Sequence, residues 1–148
     1  MTREREALGL HVPDCSAISY ATNPPSSGQH YSSWAPFRVF DEPIGRGFWV
    51  HSIEHGAVVI LYSCRDCDEE IQAAKVMIEA LPEDPVCVGM RRIILVPDPL
   101  LDVPWAAAAW GYTLRSECFE PEVFRDFALR FAGHGPEKEV CTEGSARP

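Results

Sequence analysis

The run from Ala57 to Tyr62 is apolar and rich in β-branched side chains, with Gly56 before it and the polar cluster Cys64-Arg65-Asp66-Cys67 after it. A run this short and this uniformly apolar reads as a strand buried on both faces, since a half-exposed strand would alternate with polar residues. Both faces of such a strand need cover, which points to a layered fold. The strand also carries chemistry at each end: His51-Ser52-Ile53-Glu54-His55 precedes it and the thiol pair Cys64 and Cys67 follows.

The remaining chain supplies the layers. Asp68-Glu69-Glu70 puts acids where a helix dipole favours them, and Ile71, Ala74, Ile78 and Leu81 recur at helical spacing, which predicts a helix over 68–81 ended by Pro82. Arg91 to Val96 predicts a second strand, parallel to the first, with the helix between them as the crossover. Trp105 to Leu114 is divided, since its alanines favour helix while Trp110, Tyr112 and Leu114 alternate; it is read as strand. Pro121 opens a helix over 121–132, with Val123, Phe124, Phe127, Ala128 and Phe131 on one face and Gly133 as terminator. This order predicts a small α/β sandwich with helices packed on a mostly buried sheet. A thioredoxin-like arrangement is one candidate, because there a Cys-x-x-Cys sits between a strand end and a helix start; such an analogy does not give function.

Residues 1–48 hold Pro13, Pro24, Pro25, Gly28, Pro36, Pro43, Gly45 and Gly47 and are expected to be loop. Their aromatic side chains, among them Tyr20, Tyr31, Trp34, Phe37, Phe40 and Phe48, argue for a proline-rich wrap laid on the core, because disordered tails are poor in aromatics. The length of 148 residues suits one domain, with 1–19 as an N-terminal extension, 20–137 as the core and 138–148 as a polar, frayed tail.

With 13 basic and 22 acidic residues the formal charge is −9, which argues against a nucleic-acid partner and leaves a small molecule or a protein. No apolar run approaches the roughly 18 residues of a membrane span, and the start lacks the apolar core of a secretory signal. Six cysteines suit an oxidising compartment. The chain as written therefore reads as cytoplasmic, or as extracytoplasmic if it is trimmed from an exported precursor.

His51-x-x-Glu54-His55 matches the pattern H-x-x-E-H, in which two imidazoles bind zinc and the glutamate activates a metal-bound water. On an extended strand residues four apart are separated by about 13 Å, too far to share an ion at bond lengths of about 2 Å, whereas a helical turn brings them to about 6 Å. Chelation therefore requires residues 51–55 to coil before the strand begins, and Gly56 is free to make that transition. The long helix of the peptidase version is not expected here, because the β-run starts at once. His30, in the turn-rich segment Asn23-Pro24-Pro25-Ser26-Ser27-Gly28-Gln29-His30-Tyr31, is the expected third ligand. Met90 and the cysteines would favour Cu(I) if they lay nearby, whereas histidines with a carboxylate suit zinc or copper(II). In the alternative reading, the histidines only brace the loop.

Cys64 and Cys67 form the second candidate site. A helix start and Arg65 would lower the Cys64 pKa, while Asp66, Asp68, Glu69 and Glu70 oppose this. The readings are a thiol-disulfide oxidoreductase with Cys64 and Cys67 as its catalytic pair, a structural disulfide, or half a zinc site. Cys15, Cys87, Cys118 and Cys141 are isolated and are expected to be packing residues or disulfide partners.

The segment Asn23 to Tyr31, then Trp34, Asp41-Glu42-Pro43, His51-x-x-Glu54-His55-Gly56-x-Val58-Val59-Ile60, Ala109-Trp110-Gly111 and Gly135-Pro136-Glu137 resemble an uncharacterised bacterial and archaeal domain-of-unknown-function family. Its members carry an N-P-P-T-S-G-x-H box followed by H-x-x-E-H-G. The resemblance spans roughly residues 20–137, with Ser26 where threonine is usual and Gln29 where proline is common. It implies that His30, Glu54 and His55 share one site. Members often follow a membrane anchor or signal, and many lack the Cys-x-x-Cys. The expected function is thus a transition-metal-binding protein, for zinc or copper, with His30, His51, His55 and Glu54 as ligands and Glu54 as the candidate base. The runners-up are the Cys64–Cys67 oxidoreductase and a non-catalytic binding module.

Overall fold

The strand β4 (Val58–Tyr62) is bonded on both edges, as its uniformly apolar sequence requires. The computed structural model describes residues 1–146. Around β4 stand β1 (Thr2–Arg3), β2 (His11–Val12), β3 (His30–Tyr31), α1 (Arg46–Glu54), α2 (Asp68–Glu79), β5 (Ile93–Pro97), β6 (Trp105–Ala109), β7 (Tyr112–Ser116) and α3 (Pro121–Phe131). They form a single α/β domain. The main sheet has the order β1-β7-β6-β4-β5, and β2 and β3 make a small parallel pair of their own.

β5 runs parallel to β4 in the register Val58↔Ile93, with α2 as the crossover. β6 lies antiparallel on the other edge, pairing Ile60 with Ala107. The segment read as a single strand from Trp105 to Leu114 is instead a hairpin of β6 and β7, turned at Trp110-Gly111, where Gly111 has a φ of 73°. The alanines of β6 override their helical preference because tertiary context does so routinely. Ala106 and Ala108 face one core layer and Ala107 and Ala109 the other, and their small side chains let α1 and α3 approach the sheet from opposite sides.

The same alternation runs through the sheet. Val58, Ile60, Ile93 and Leu95 pack against α2 and α3, with Phe124, Phe127 and Phe131. Val59, Leu61, Ile94 and Val96 pack against α1 and the N-terminal wrap, with Ala35, Phe40, Trp49 and Val50. Each Val, Leu, Ile or Phe among them contributes roughly 1.5–3 kcal/mol by leaving water.

The expected loop over 1–48 ends early, because Arg46–Glu54 is a helix. Every residue from Gly47 to Glu54 is buried, so this stretch of α1 has no exposed face and leaves no amphipathic period in the sequence. Its start is also unmarked, since Gly45 offers no side-chain cap. Gly47 is required by packing: a Cβ there would press into the Tyr31 ring.

The segment after α3 is anchored both before and within residues 138–148, the stretch expected to be a frayed tail. Gly133 N–H bonds Gly56 O, Glu137 N–H bonds Glu54 O and Ala146 N–H bonds Trp34 O. Cys141 forms a disulfide with Cys87. Arg92, fully buried and paired to Asp84 at 2.8 Å, also donates to His55 O and Lys138 O. The tail thus becomes a wall against the C-terminal end of α1.

Candidate metal centre

Residues 51–55 coil as chelation requires. α1 ends in a Schellman motif: Gly56 N–H bonds Ile53 O, Ala57 N–H bonds Ser52 O, and Gly56 takes a φ of 86°. This turn swings the chain directly from helix into β4 and stands the His51 and His55 rings 4.6 Å apart.

The other wall comes from the proline-rich wrap. Asn23 ties it down, its amide donating to Leu100 O and Asp102 and its carbonyl oxygen accepting from Arg46. Ser27 Oγ accepts from Ala7 N–H, and Ser26 O accepts from Gly111 N–H. Gly28, with a φ of 109°, turns its carbonyl onto His30 Nδ1 at 2.9 Å. β3 then carries His30 beside its parallel partner β2, in a register that pairs it with His11.

Three imidazoles meet at this point. The ring centroids of His11, His30 and His51 lie 4.9, 4.7 and 4.6 Å from one another. His51 Nδ1 lies 2.7 Å from Tyr31 O, as His30 Nδ1 lies by Gly28 O. A carbonyl oxygen only accepts, so both Nδ1 atoms carry the proton and a neutral ring keeps its lone pair on Nε2. The backbone thus leaves Nε2 as the nitrogen free to bind a metal.

Electrostatics point the same way. Burial, with repulsion from His30 and His55, pushes the His51 pKa down to about 4, so its ring is neutral at neutral pH. Burial also lowers His55, against the pull of Glu137 and Glu54. For Glu54, burial raises the pKa, but the approach to His30 and the surrounding imidazoles outweigh it and hold the carboxyl below its ordinary value. Glu54 Oε2 stands 3.0 Å from His30 Nε2, which is buried without an aligned hydrogen bond. A lone pair and a carboxylate oxygen this close need a proton or a cation between them.

His11, His30, His51 and Glu54 each offer a ligand atom within 4.8 Å of the others. A second group, Glu54, His55 and Glu137, meets the same distance. The structure therefore brings His30, His51 and Glu54 together and assigns His55 to the neighbouring group, joined through Glu54. His11 and Glu137 were not expected as donors. Glu137 falls within the Gly135-Pro136-Glu137 box, whereas His11 has no mark except being one of only five histidines. His134, the fifth, bonds Ala132 O at the surface. Met90 sits in the turn after Cys87, and no cysteine joins either group among the described residues.

At the other end of β4, Cys64 and Cys67 are joined as a disulfide at the start of α2. Cys15 and Cys118 are free and exposed. Among the described residues no helix is long and apolar enough to cross a membrane.

The sequence pattern of a family described as a protein of unknown function (DUF3105) matches residues 11–144. No curated protein and no solved structure matches the chain.

Proposed function

The chain belongs to the DUF3105 family, and on the geometry of its histidine cluster we propose that it is a transition-metal-binding protein for zinc or copper. One observation carries the reading: three imidazoles and one ionised carboxylate converge within 4.8 Å, with two of the rings held by backbone carbonyls in the ligating tautomer. Nitrogen-rich donors with a single carboxylate suit zinc or copper(II) over calcium or magnesium, which prefer oxygen. His30 and His51 would be the fixed ligands, being buried and oriented. His11 is exposed and would be the donor most easily exchanged for water or substrate. Glu54 would complete the set, or act as the base beside it.

The test is metal analysis of tag-free protein followed by calorimetric titration of the metal-free form with zinc and copper(II). Saturable binding that the His30→Ala/His51→Ala double variant loses would support the proposal. Absence of saturable binding, or a double variant that binds like the wild type, would rule it out.

A second reading is supported by the asymmetry of the thiol pair. Cys64 is half-buried and Cys67 is buried at the first turn of α2, which suits an attacking and a resolving thiol. Such a pair would exchange its disulfide with a substrate dithiol, leaving that substrate oxidised. Alkylation of reduced Cys64 persisting well below pH 8.5, about the pKa of a free thiol, would favour catalysis, and ordinary alkylation would leave a structural disulfide. Two disulfides are compatible with an extracytoplasmic location, and we propose an oxidising compartment.

A further inference from the structure

We propose a second metal position, formed by Glu54, His55 and Glu137, so that Glu54 bridges a pair of ions. The proposal rests on the reading of the histidine cluster as a metal site and extends it to a two-ion centre. Its donors are built in. Glu54, His55 and Glu137 each offer a ligand atom within 4.8 Å of the others, and Glu54 belongs to both groups. A carboxylate has two oxygens and is the usual bridge where two ions stand about 3.5–4 Å apart.

His55 supplies the independent observation. It is only 3% exposed, so its ring is withdrawn from solvent. Its Nε2 stands 3.2 Å from Glu137 Oε2. Glu137 reaches this point only because the tail is docked: its own N–H bonds Glu54 O, so the same residue is tied by backbone and side chain to the two others. Gly135 makes that approach feasible, since a Cβ there would overlap Glu54 O and Gly56 N. Ordinary surface acids are not held this way.

The two positions are also alike in access. Each has a single exposed donor, His11 in one and Glu137 in the other, with the remaining ligands buried. Trp34 borders both, its ring 5.1 Å from that of His51 and 4.7 Å from that of His55. Two ions loaded from solvent on either side of a shared carboxylate would be the consequence.

Zinc(II) titrated into metal-free, tag-free protein tests this. The wild type should saturate at two equivalents and Glu137→Gln at one. The Glu137 side chain is about half exposed, so this variant keeps the backbone bond to Glu54 and should fold normally. His55→Gln, also at one equivalent, would repeat the result from inside the protein. Wild-type saturation at one equivalent that Glu137→Gln leaves unchanged would overturn the second position while the His30–His51 site stands. One equivalent lost in Glu137→Gln but kept in His30→Ala/His51→Ala would support the second position and overturn the first.

Discussion

At the N-terminal end of β4 the donors come from β2, β3, α1 and the tail after α3, and all but two of them are buried. At the C-terminal end Cys64 and Cys67 are three residues apart, joined directly, and surrounded by the exposed acids Asp66, Asp68 and Glu69. The first arrangement exists only when distant segments close on one another, and the second is local. Damage to long-range contacts should therefore disturb the histidine end and spare the thiol end. A local change at the thiols should do little to the histidines.

The largest effect should come from Asp84→Ala. It leaves the buried Arg92 guanidinium unpaired, at a cost of about 3 to 5 kcal/mol, and loosens its bonds to His55 O and Lys138 O. Calorimetric melting should show the loss, and zinc binding should weaken with it. A melting temperature within a degree of the wild type would mean that the clamp does not hold the histidine end.

The two disulfides allow a direct contrast. Cys87–Cys141 closes a separation of 54 residues and should contribute about 4 kcal/mol on the chain-entropy account. Cys64–Cys67 closes a separation of 3 and should contribute about 2 kcal/mol. Urea unfolding of Cys87→Ser/Cys141→Ser and of Cys64→Ser/Cys67→Ser measures both. Only the first pair should lower zinc stoichiometry, because only it fastens the segment that carries Glu137. Equal effects on metal binding would erase the distinction between the ends.

The smallest effect expected is a pH dependence. His51 takes a proton at 6.5 when free but only at about 4 in the fold, so the unfolded chain binds more protons between those values. Stability of the metal-free protein is thus intact above about 6.5 and falls as pH drops toward about 4. Melting followed across this window should show the decline, and His51→Phe should flatten it. A wild-type profile with no slope there would mean that the ring is not held neutral.

Much of the layered architecture was legible in the chain. The uniform apolar run of β4, the crossover through α2 and the aromatic face of α3 are patterns that burial writes directly into local sequence, with a period of 2 or 3.6 or none at all. The histidines of the H-x-x-E-H turn were legible as well, along with the need for them to coil, because spacing alone decides whether two rings can meet. The helix α1 was not, since burial on every side removes the period and Gly45 gives no cap.

The composition of the donor set was decided by closure of the chain. His11 joins His30 because two short strands pair in parallel across 19 residues, and Glu137 joins His55 because a tail with Gly135 at its closest point docks beneath α1. His55 was expected beside His30 and His51 from the spacing of the H-x-x-E-H turn and from the family resemblance. Its ring does stand 4.6 Å from that of His51, and the docked tail also sets it against Glu137, with Glu54 common to both groups. Local sequence records what each residue's own neighbours in the chain demand. A side chain brought to the cluster from more than 80 residues away leaves no such record of what it will meet, because its position is fixed by backbone contacts that form only when the sheet and tail are in place.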